Sequence, residues 1–185
     1  EGGMITTNDE ALAERIRSLK SLAFGDQYKF MHKEVGFSYR MTNLQAAVGC
    51  AQIEKIGDIV SRKRRIAHWY AGELGDVPEV QLPVEMAYAQ NVYWMYHIVL
   101  KGMSADGRQS VMKSLLDRGI ESREGFIPYN LQEIFIERGL TVPDECPVAN
   151  SVAYCSIYLP SGPDLSEDDV RFVCDTLKDI LARGA

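Results

Sequence analysis

The chain has 185 residues, with 20 lysines and arginines against 26 aspartates and glutamates, a formal net charge of −6. Hydrophobic residues make up 46% of it, which excludes an intrinsically disordered protein and is normal for a globular one. No apolar stretch approaches the roughly 20 residues of a transmembrane helix. The acidic balance argues against a nucleic-acid-binding protein. The 4 cysteines form no CxxC pair, so we expect no metal site, reduced thiols and a cytoplasmic protein.

The first part of the chain is predicted to be mostly helical. Residues 4–7 have the composition of a short strand, and an amphipathic helix is expected over 8–22 with Asn8 as its N-cap. Its apolar residues recur at helical spacing and predict a buried stripe: Leu12, Ile16 and Leu19. Residues 23–41 break the pattern with glycines and aromatic residues, and a connection of this length is often functional.

Two further helices are predicted before the chain turns extended. The first is capped by Thr42 or Asn43, and Gly57 is expected to separate it from the second, over 58–74. Residues 75–91 contain two prolines and are predicted to be an extended linker.

The second half alternates strand and helix patterns. The predicted order is a strand over 92–100, a helix over 104–116, a strand over 120–123, helices over 131–137 and 147–156, a strand over 157–160, and a last helix capped by Ser166. Such an order predicts a small α/β or α+β domain in which helices pack on a sheet.

Residues 62–65 form the one basic cluster, RKRR. They could be a phosphate or nucleic-acid patch. The favoured interpretation is a solvated helix face, because four consecutive positions span a full helical turn and cannot all face one ligand.

Two loops combine aromatic residues with arginine and hydrogen-bonding side chains. Residues 36–47 (GFSYRMTNLQAA) lie just before a helix N-terminus, where free amides and the helix dipole favour an anion. Residues 121–130 (ESREGFIPYN) follow a predicted strand, and their arginine could hold a carboxylate or a phosphate. Both loops are also compatible with simple capping and turn chemistry.

Three stretches together resemble a known family: EGGMITTND at 1–9, GFSYRMTNLQAA at 36–47 and IESR at 120–123. They are similar to the nucleotide-sugar aminotransferases of the DegT type, and in particular to GDP-perosamine synthase and related enzymes that aminate a keto-deoxy sugar. The resemblance runs through essentially the whole chain in the same order.

The resemblance implies the α/β, aspartate-aminotransferase-like fold (fold type I) of pyridoxal-phosphate enzymes. Residues 1–57 would be the end of the large cofactor-binding domain, and residues 58–185 the small C-terminal domain. In such enzymes the lysine that bonds the cofactor lies just upstream of the EGG stretch. Lys20, Lys29 and Lys33 come too late to replace it, so the resemblance implies a C-terminal portion that is inactive alone.

The resemblance also implies site residues. Ser38 stands where the family has an asparagine that reaches the cofactor phosphate across a homodimer interface, and the serine hydroxyl has a shorter reach. Expected substrate residues are Tyr39, Arg40, Arg123, Phe126, Tyr129 and Asn130. Trp94 matches a recurring family tryptophan, and the simplest interpretation of it is a core residue.

The implied activity is transfer of an amino group from glutamate to a nucleotide-linked keto-deoxy sugar by pyridoxal 5′-phosphate. An alternative is a non-catalytic relative that acts as a regulatory sensor. A basic-helix nucleic-acid module is the least favoured hypothesis, given the net charge.

Overall fold

The computed structural model describes residues 2–25, 28–32 and 34–184. Glu1 and Lys33, both used in the family resemblance, lie outside the described residues. The chain divides into two compact units, Glu1–Ile56 and Gly57–Ala185. Assignment of residues 1–57 and 58–185 to two domains of a larger enzyme stays a prediction.

The described residues of the first unit include two complete helices, α1 (Glu10–Lys20) and α2 (Asn43–Ile53). Helix α1 is capped by Asp9 rather than Asn8, because the Asp9 carboxylate accepts the Leu12 amide at 3.0 Å. Of the two predicted caps of α2, Thr42 and Asn43, the structure uses Thr42, through a capping box with Gln45. Residues 4–7 form no strand with any described residue.

The apolar residues of both helices are more exposed than their patterns predict. The expected stripe of α1 is not buried, since no residue of this fully described helix is classed as buried. The same holds for α2, where Leu44 and Val48 are largely exposed. Helical periodicity identifies an apolar face, but a face is buried only where another element covers it.

Helix α3 (Ile56–Leu74) begins at the last residue of the first unit and belongs otherwise to the second, so the break between helices falls at residues 54–55 and not at Gly57. The remaining helices and strands, in chain order, are β1 (Val80–Gln81), β2 (Tyr96–Leu100), α4 (Ala105–Leu116), β3 (Arg123–Glu124), α5 (Glu133–Glu137), α6 (Pro147–Cys155), β4 (Ser156–Leu159) and α7 (Glu167–Ala182). Short 3₁₀ turns occupy Tyr129–Leu131 and Pro143–Glu145.

Within the described residues, four antiparallel strands form one sheet in the order β1-β2-β4-β3. Strand β1 lies inside residues 75–91, which the sequence predicts to be a linker, and it pairs with β2 as an edge strand of the sheet. Strand β2 begins at Tyr96 rather than residue 92, because Tyr93 takes a left-handed conformation with φ of 48°. Strand β3 is shifted to 123–124, since the Ile120 amide donates to Leu115 O at 2.9 Å.

The hydrophobic core lies between one sheet face and α3, α4 and α7. Alternate residues of β2 are fully buried, as expected for a strand with one core face: Tyr96, Ile98 and Leu100. Tyr70 of α3 stacks on Tyr96 with ring centroids 4.5 Å apart and donates its hydroxyl to Pro160 O at 2.8 Å. In the part of the chain that the structure describes, no helix is long and apolar enough to span a membrane.

Candidate functional site

Residues 36–40, which we call the GFSYR loop, are fixed by backbone hydrogen bonds to the end of α1. The Phe37 amide donates to Leu19 O at 2.7 Å, and the Leu22 amide donates to Phe37 O at 3.0 Å. A Cβ added at Gly36 would stand 2.3 Å from the Leu22 carbonyl carbon, so the close approach of the two segments requires glycine. The loop is therefore built by its backbone, which leaves its side chains free to face outward.

Three predicted site residues project from this loop. Tyr39 is 74% exposed and stacks on Phe37 with ring centroids 5.2 Å apart. Ser38 and Arg40 are exposed, and neither side chain bonds to a described residue. A hydroxyl and a guanidinium that are both unengaged are suitable donors for a phosphate or a carboxylate.

In the second unit, ring contacts join four side chains that we call the aromatic cluster: Trp94, His97, Phe126 and Tyr158. Trp94 and Phe126 are nearly parallel, with centroids 6.5 Å apart, and Phe126 lies 5.6 Å from Tyr158. Trp94 is 66% exposed, so its expected place in the core is wrong. Phe126 is also mostly exposed, so both rings are accessible at the surface of the second unit.

Arg123 lies on the same sheet face as two members of the aromatic cluster. Its partner in the β3–β4 register is Tyr158, which in turn pairs with His97 of β2. The Arg123 side chain is largely exposed and stands 3.8 Å from the Glu121 carboxylate, too far for a strong ion pair. The next residue, Glu124, points to the helix face and pairs with the buried Arg108 at 2.5 Å.

His97 and Tyr158 form the half-buried base of the cluster. Burial lowers the pKa of His97 and raises the pKa of Tyr158, because each loses hydration of its charged form. Both side chains are therefore neutral near pH 7. Gly125 passes close by: an added Cβ would stand 2.0 Å from Ser156 Oγ and 3.4 Å from His97 Nε2.

Tyr129 and Asn130 differ sharply in exposure. Tyr129 is half exposed, and its hydroxyl donates to Glu145 Oε2 at 3.3 Å. Asn130 is fully buried, and its amide group donates to Pro143 O at 2.7 Å and Asn150 Oδ1 at 2.8 Å. These contacts give Asn130 a structural function in holding two 3₁₀ turns together, and its role toward a substrate stays a prediction.

A surface groove of about 730 Å³ opens at one end of the sheet, a volume within the range of small-molecule sites. Arg123 and Tyr158 contribute to its lining, with Ser161, Leu165 and Phe172 on other sides. The Ser122 hydroxyl oxygen beside it is buried without a hydrogen-bond partner among the described residues. The sequence pattern did not predict Tyr158 as a site residue and did not predict this groove, because the residues concerned are brought together only by strand pairing.

The basic residues of α3 do not form a uniform solvated face. Lys63 donates to backbone oxygens of Trp94 and Ser161, and Arg64 donates to Asn91 O and pairs with Glu85. Arg62 pairs with Asp58 and Asp164, and Arg65 lies over the Trp69 ring at 5.5 Å. The interpretation as a solvated helix face is therefore wrong for Lys63 and Arg64, which have partners distant in sequence.

The sequence-predicted residues thus fall into two groups. Ser38, Tyr39 and Arg40 share the loop of the first unit, and Arg123 and Phe126 both lie beside Tyr158 in the second.

A model of the DegT/DnrJ/EryC1/StrS aminotransferase family matches residues 1–178. The chain belongs to this family.

Curated relatives in the family include two GDP-perosamine synthases. That of Escherichia coli O157:H7 is 33% identical over 182 residues, covering 98% of this chain and 48% of the relative. That of Caulobacter vibrioides has the same identity and coverage. The erythromycin biosynthesis sensory transduction protein EryC1 of Saccharopolyspora erythraea is 34% identical, covering 96% of this chain and 47% of its own length. The chain spans about half the length of these relatives and matches the C-terminal portion of the perosamine synthases.

Solved structures confirm the predicted fold class. DesV of S. venezuelae, crystallised with a ketimine intermediate, has a TM-score of 0.81 and 26% identity, with coverage of 94% of this chain and 45% of DesV. PseC of Helicobacter pylori has a TM-score of 0.85 and 20% identity, with coverage of 96% and 48%. The α/β fold is that of the fold type I transferases. Aminotransferases of this family depend on pyridoxal 5′-phosphate.

Proposed function

We propose that this chain is part of an enzyme that uses pyridoxal 5′-phosphate to transfer an amino group from glutamate to a nucleotide-linked keto-deoxy sugar. The observation that carries the proposal is the family match across residues 1–178. The 33% identity to two GDP-perosamine synthases over nearly the whole chain supports a sugar nucleotide as the acceptor.

Ser38 is the proposed cofactor contact of this chain. Pyridoxal phosphate supplies an aldehyde that carries the amino group and a ring that accepts electrons. The exposed Ser38 hydroxyl, on a loop fixed by its backbone, would donate a hydrogen bond to the cofactor phosphate of a twofold-related subunit. Arg40, two residues later and without an ion-pair partner among the described residues, would add positive charge near the same anion.

The proposed substrate residues are Tyr39 and Arg40 in the first unit and Arg123, Phe126, Tyr129 and Asn130 in the second. Arg123 would bind a phosphate of the nucleotide, since its guanidinium is exposed and only weakly paired with Glu121. Phe126 would provide apolar contact beside it. Asn130 would act indirectly, by fixing the turn that carries Tyr129.

The lysine that bonds the cofactor is proposed to lie in a preceding segment of the parent enzyme, since the chain matches only 48% of the perosamine synthases. The chain alone would then be inactive. A homodimer is proposed because the family resemblance implies that Ser38 reaches the active site of a twofold-related subunit. The four cysteines are free thiols, which supports a cytoplasmic location.

The proposal is tested with the parent enzyme, including the segment that precedes this chain. The purified protein is expected to show the visible absorbance of a lysine-bound cofactor and to aminate a GDP-linked keto-deoxy sugar with glutamate. Arg123→Ala is expected to raise KM for the sugar nucleotide by about tenfold or more, as loss of a charged hydrogen bond does. A colourless protein without this activity would contradict the proposal.

A sensor without catalytic activity is the second candidate, and the name of EryC1, a sensory transduction protein at 34% identity, favours keeping it. The two candidates differ at the cofactor-bonding position of the parent enzyme. A lysine there supports the aminotransferase, and any other residue supports the sensor.

A further inference from the structure

Lys63 joins two segments that are far apart in sequence. Its ammonium donates to Trp94 O at 2.8 Å, to Ser161 O at 2.5 Å and to Ser161 Oγ at 3.1 Å. An ammonium has three hydrogens, and all three have acceptors here. Its partial burial lowers the pKa of Lys63, which is the cost of holding a charge away from water.

Arg64, the next residue of α3, fixes the segment just before Trp94. Its guanidinium donates to Asn91 O at 2.7 Å and to Glu85 Oε1 at 2.8 Å, and Glu85 Oε2 accepts the Asn91 amide at 3.0 Å. The Asn91 side chain in turn accepts the Tyr93 amide at 2.8 Å. Tyr93 has a φ of 48°, and this closed set of bonds holds that left-handed residue in place.

We propose that Lys63 and Arg64 are positioning residues that set the backbone of residues 91–94 and thereby hold the Trp94 indole beside Phe126, one of the proposed substrate residues. The statement that Phe126 contacts the sugar nucleotide rests on the proposed function. Trp94 is two-thirds exposed, yet its ring lies within 14° of parallel to Phe126. The backbone from which this ring extends is held where Lys63 donates to Trp94 O.

¹⁹F NMR of the parent enzyme labelled with 5-fluorotryptophan gives a separate signal for each of the 2 tryptophans of this chain, Trp69 and Trp94. Trp69→Phe and Trp94→Phe assign them. In Lys63→Met, the Trp94 signal is expected to broaden and to move toward its position in urea-unfolded protein, while the Trp69 signal stays unchanged. Lys63→Arg, which keeps cationic donors, is expected to retain a sharp Trp94 signal.

Arg65→Met is the matched control, because it removes a positive charge only two residues further along α3, from a side chain that contacts the other tryptophan. It is expected to shift the Trp69 signal and to leave the Trp94 signal in place. Glu85→Gln provides an independent variant with no loss of volume, and weakening of the Arg64 pair is expected to broaden Trp94 alone.

An unchanged Trp94 signal in folded Lys63→Met, with circular dichroism equal to that of the wild type, would overturn the proposal. If Lys63→Met does not fold, Glu85→Gln decides: broadening of Trp94 supports the proposal, and an unchanged signal overturns it. None of these measurements uses a substrate. The NMR results can therefore contradict the positioning proposal while the proposed aminotransferase activity is confirmed, and they can support it while that activity is not found.

Discussion

At the scale of single residues, two glycines show how differently the same residue type is used. Gly36 lies where the GFSYR loop meets the end of α1, and an added Cβ would stand 2.3 Å from the Leu22 backbone. Gly49 lies within α2, and an added Cβ there meets nothing within 4 Å. The first glycine is required by close approach, whereas the second only weakens a helix.

Gly36→Ala is expected to lower the free energy of opening of the loop by about 1–3 kcal/mol, the usual cost of overpacking. Hydrogen exchange of the Phe37 and Tyr39 amides, which donate to Leu19 O and Lys20 O, measures it. Gly49→Ala is the control and should stabilise α2 by about 0.5–1 kcal/mol. Equal exchange in Gly36→Ala and wild type would show that the loop tolerates a side chain there.

Asn130→Ala removes two donors from a fully buried position and is expected to cost about 1–3 kcal/mol of unfolding free energy. Tyr129→Phe, which loses one exposed 3.3 Å hydrogen bond, should cost less than about 1 kcal/mol. Urea denaturation measures both. Similar stabilities for the two variants would disprove the structural function of Asn130.

At the scale of elements, α7 is specified at its start by a capping box. Ser166 Oγ accepts the Asp169 amide at 3.2 Å, and Asp169 Oδ2 accepts the Ser166 amide at 2.9 Å. Ser166→Ala is expected to destabilise the second unit by about 1 kcal/mol. Ser110→Ala, at an exposed position inside α4, is the control and should be neutral or slightly stabilising in the same urea titration.

The same cap predicts a pH dependence. Donation from the Ser166 hydroxyl and amide lowers the pKa of Asp169 below its ordinary 3.8. A depressed folded-state pKa stabilises the protein above the unfolded pKa, and this stabilisation is lost as the pH falls through the folded value. The stability difference between wild type and Ser166→Ala should therefore be constant at neutral pH and shrink below pH 3.8. A difference that grows on acidification would contradict this.

At the scale of the whole molecule, burial is very unequal between the two units. Every residue of the main core cluster falls between Ile66 and Ile180, and so within the second unit. Among the described residues of the first unit, Ala23 is the one buried hydrophobic residue. Without apolar burial, little offsets the conformational entropy lost on folding.

Separate expression of residues 57–185 is expected to give a cooperatively folded protein with the native sheet, because its core is complete. Residues 1–56 alone are expected to be mostly unfolded. Thermal unfolding followed by circular dichroism tests the first statement, and hydrogen exchange tests the second. A cooperative transition of the 1–56 fragment would contradict the expectation from burial.

The sequence alone determined the start of α7 at Ser166 and limited the cap of α2 to Thr42 or Asn43, because a cap is formed by residues three positions apart. It also determined the family, through the long stretch GFSYRMTNLQAA at 36–47 and two shorter ones, and the family model matches residues 1–178. Tertiary structure decided the rest. Tyr158, Arg123 and His97 meet only through strand register, and Lys63 finds acceptors 31 and 98 residues away. Local periodicity carries no information on such contacts, since their partners are chosen by packing rather than by neighbours in the chain.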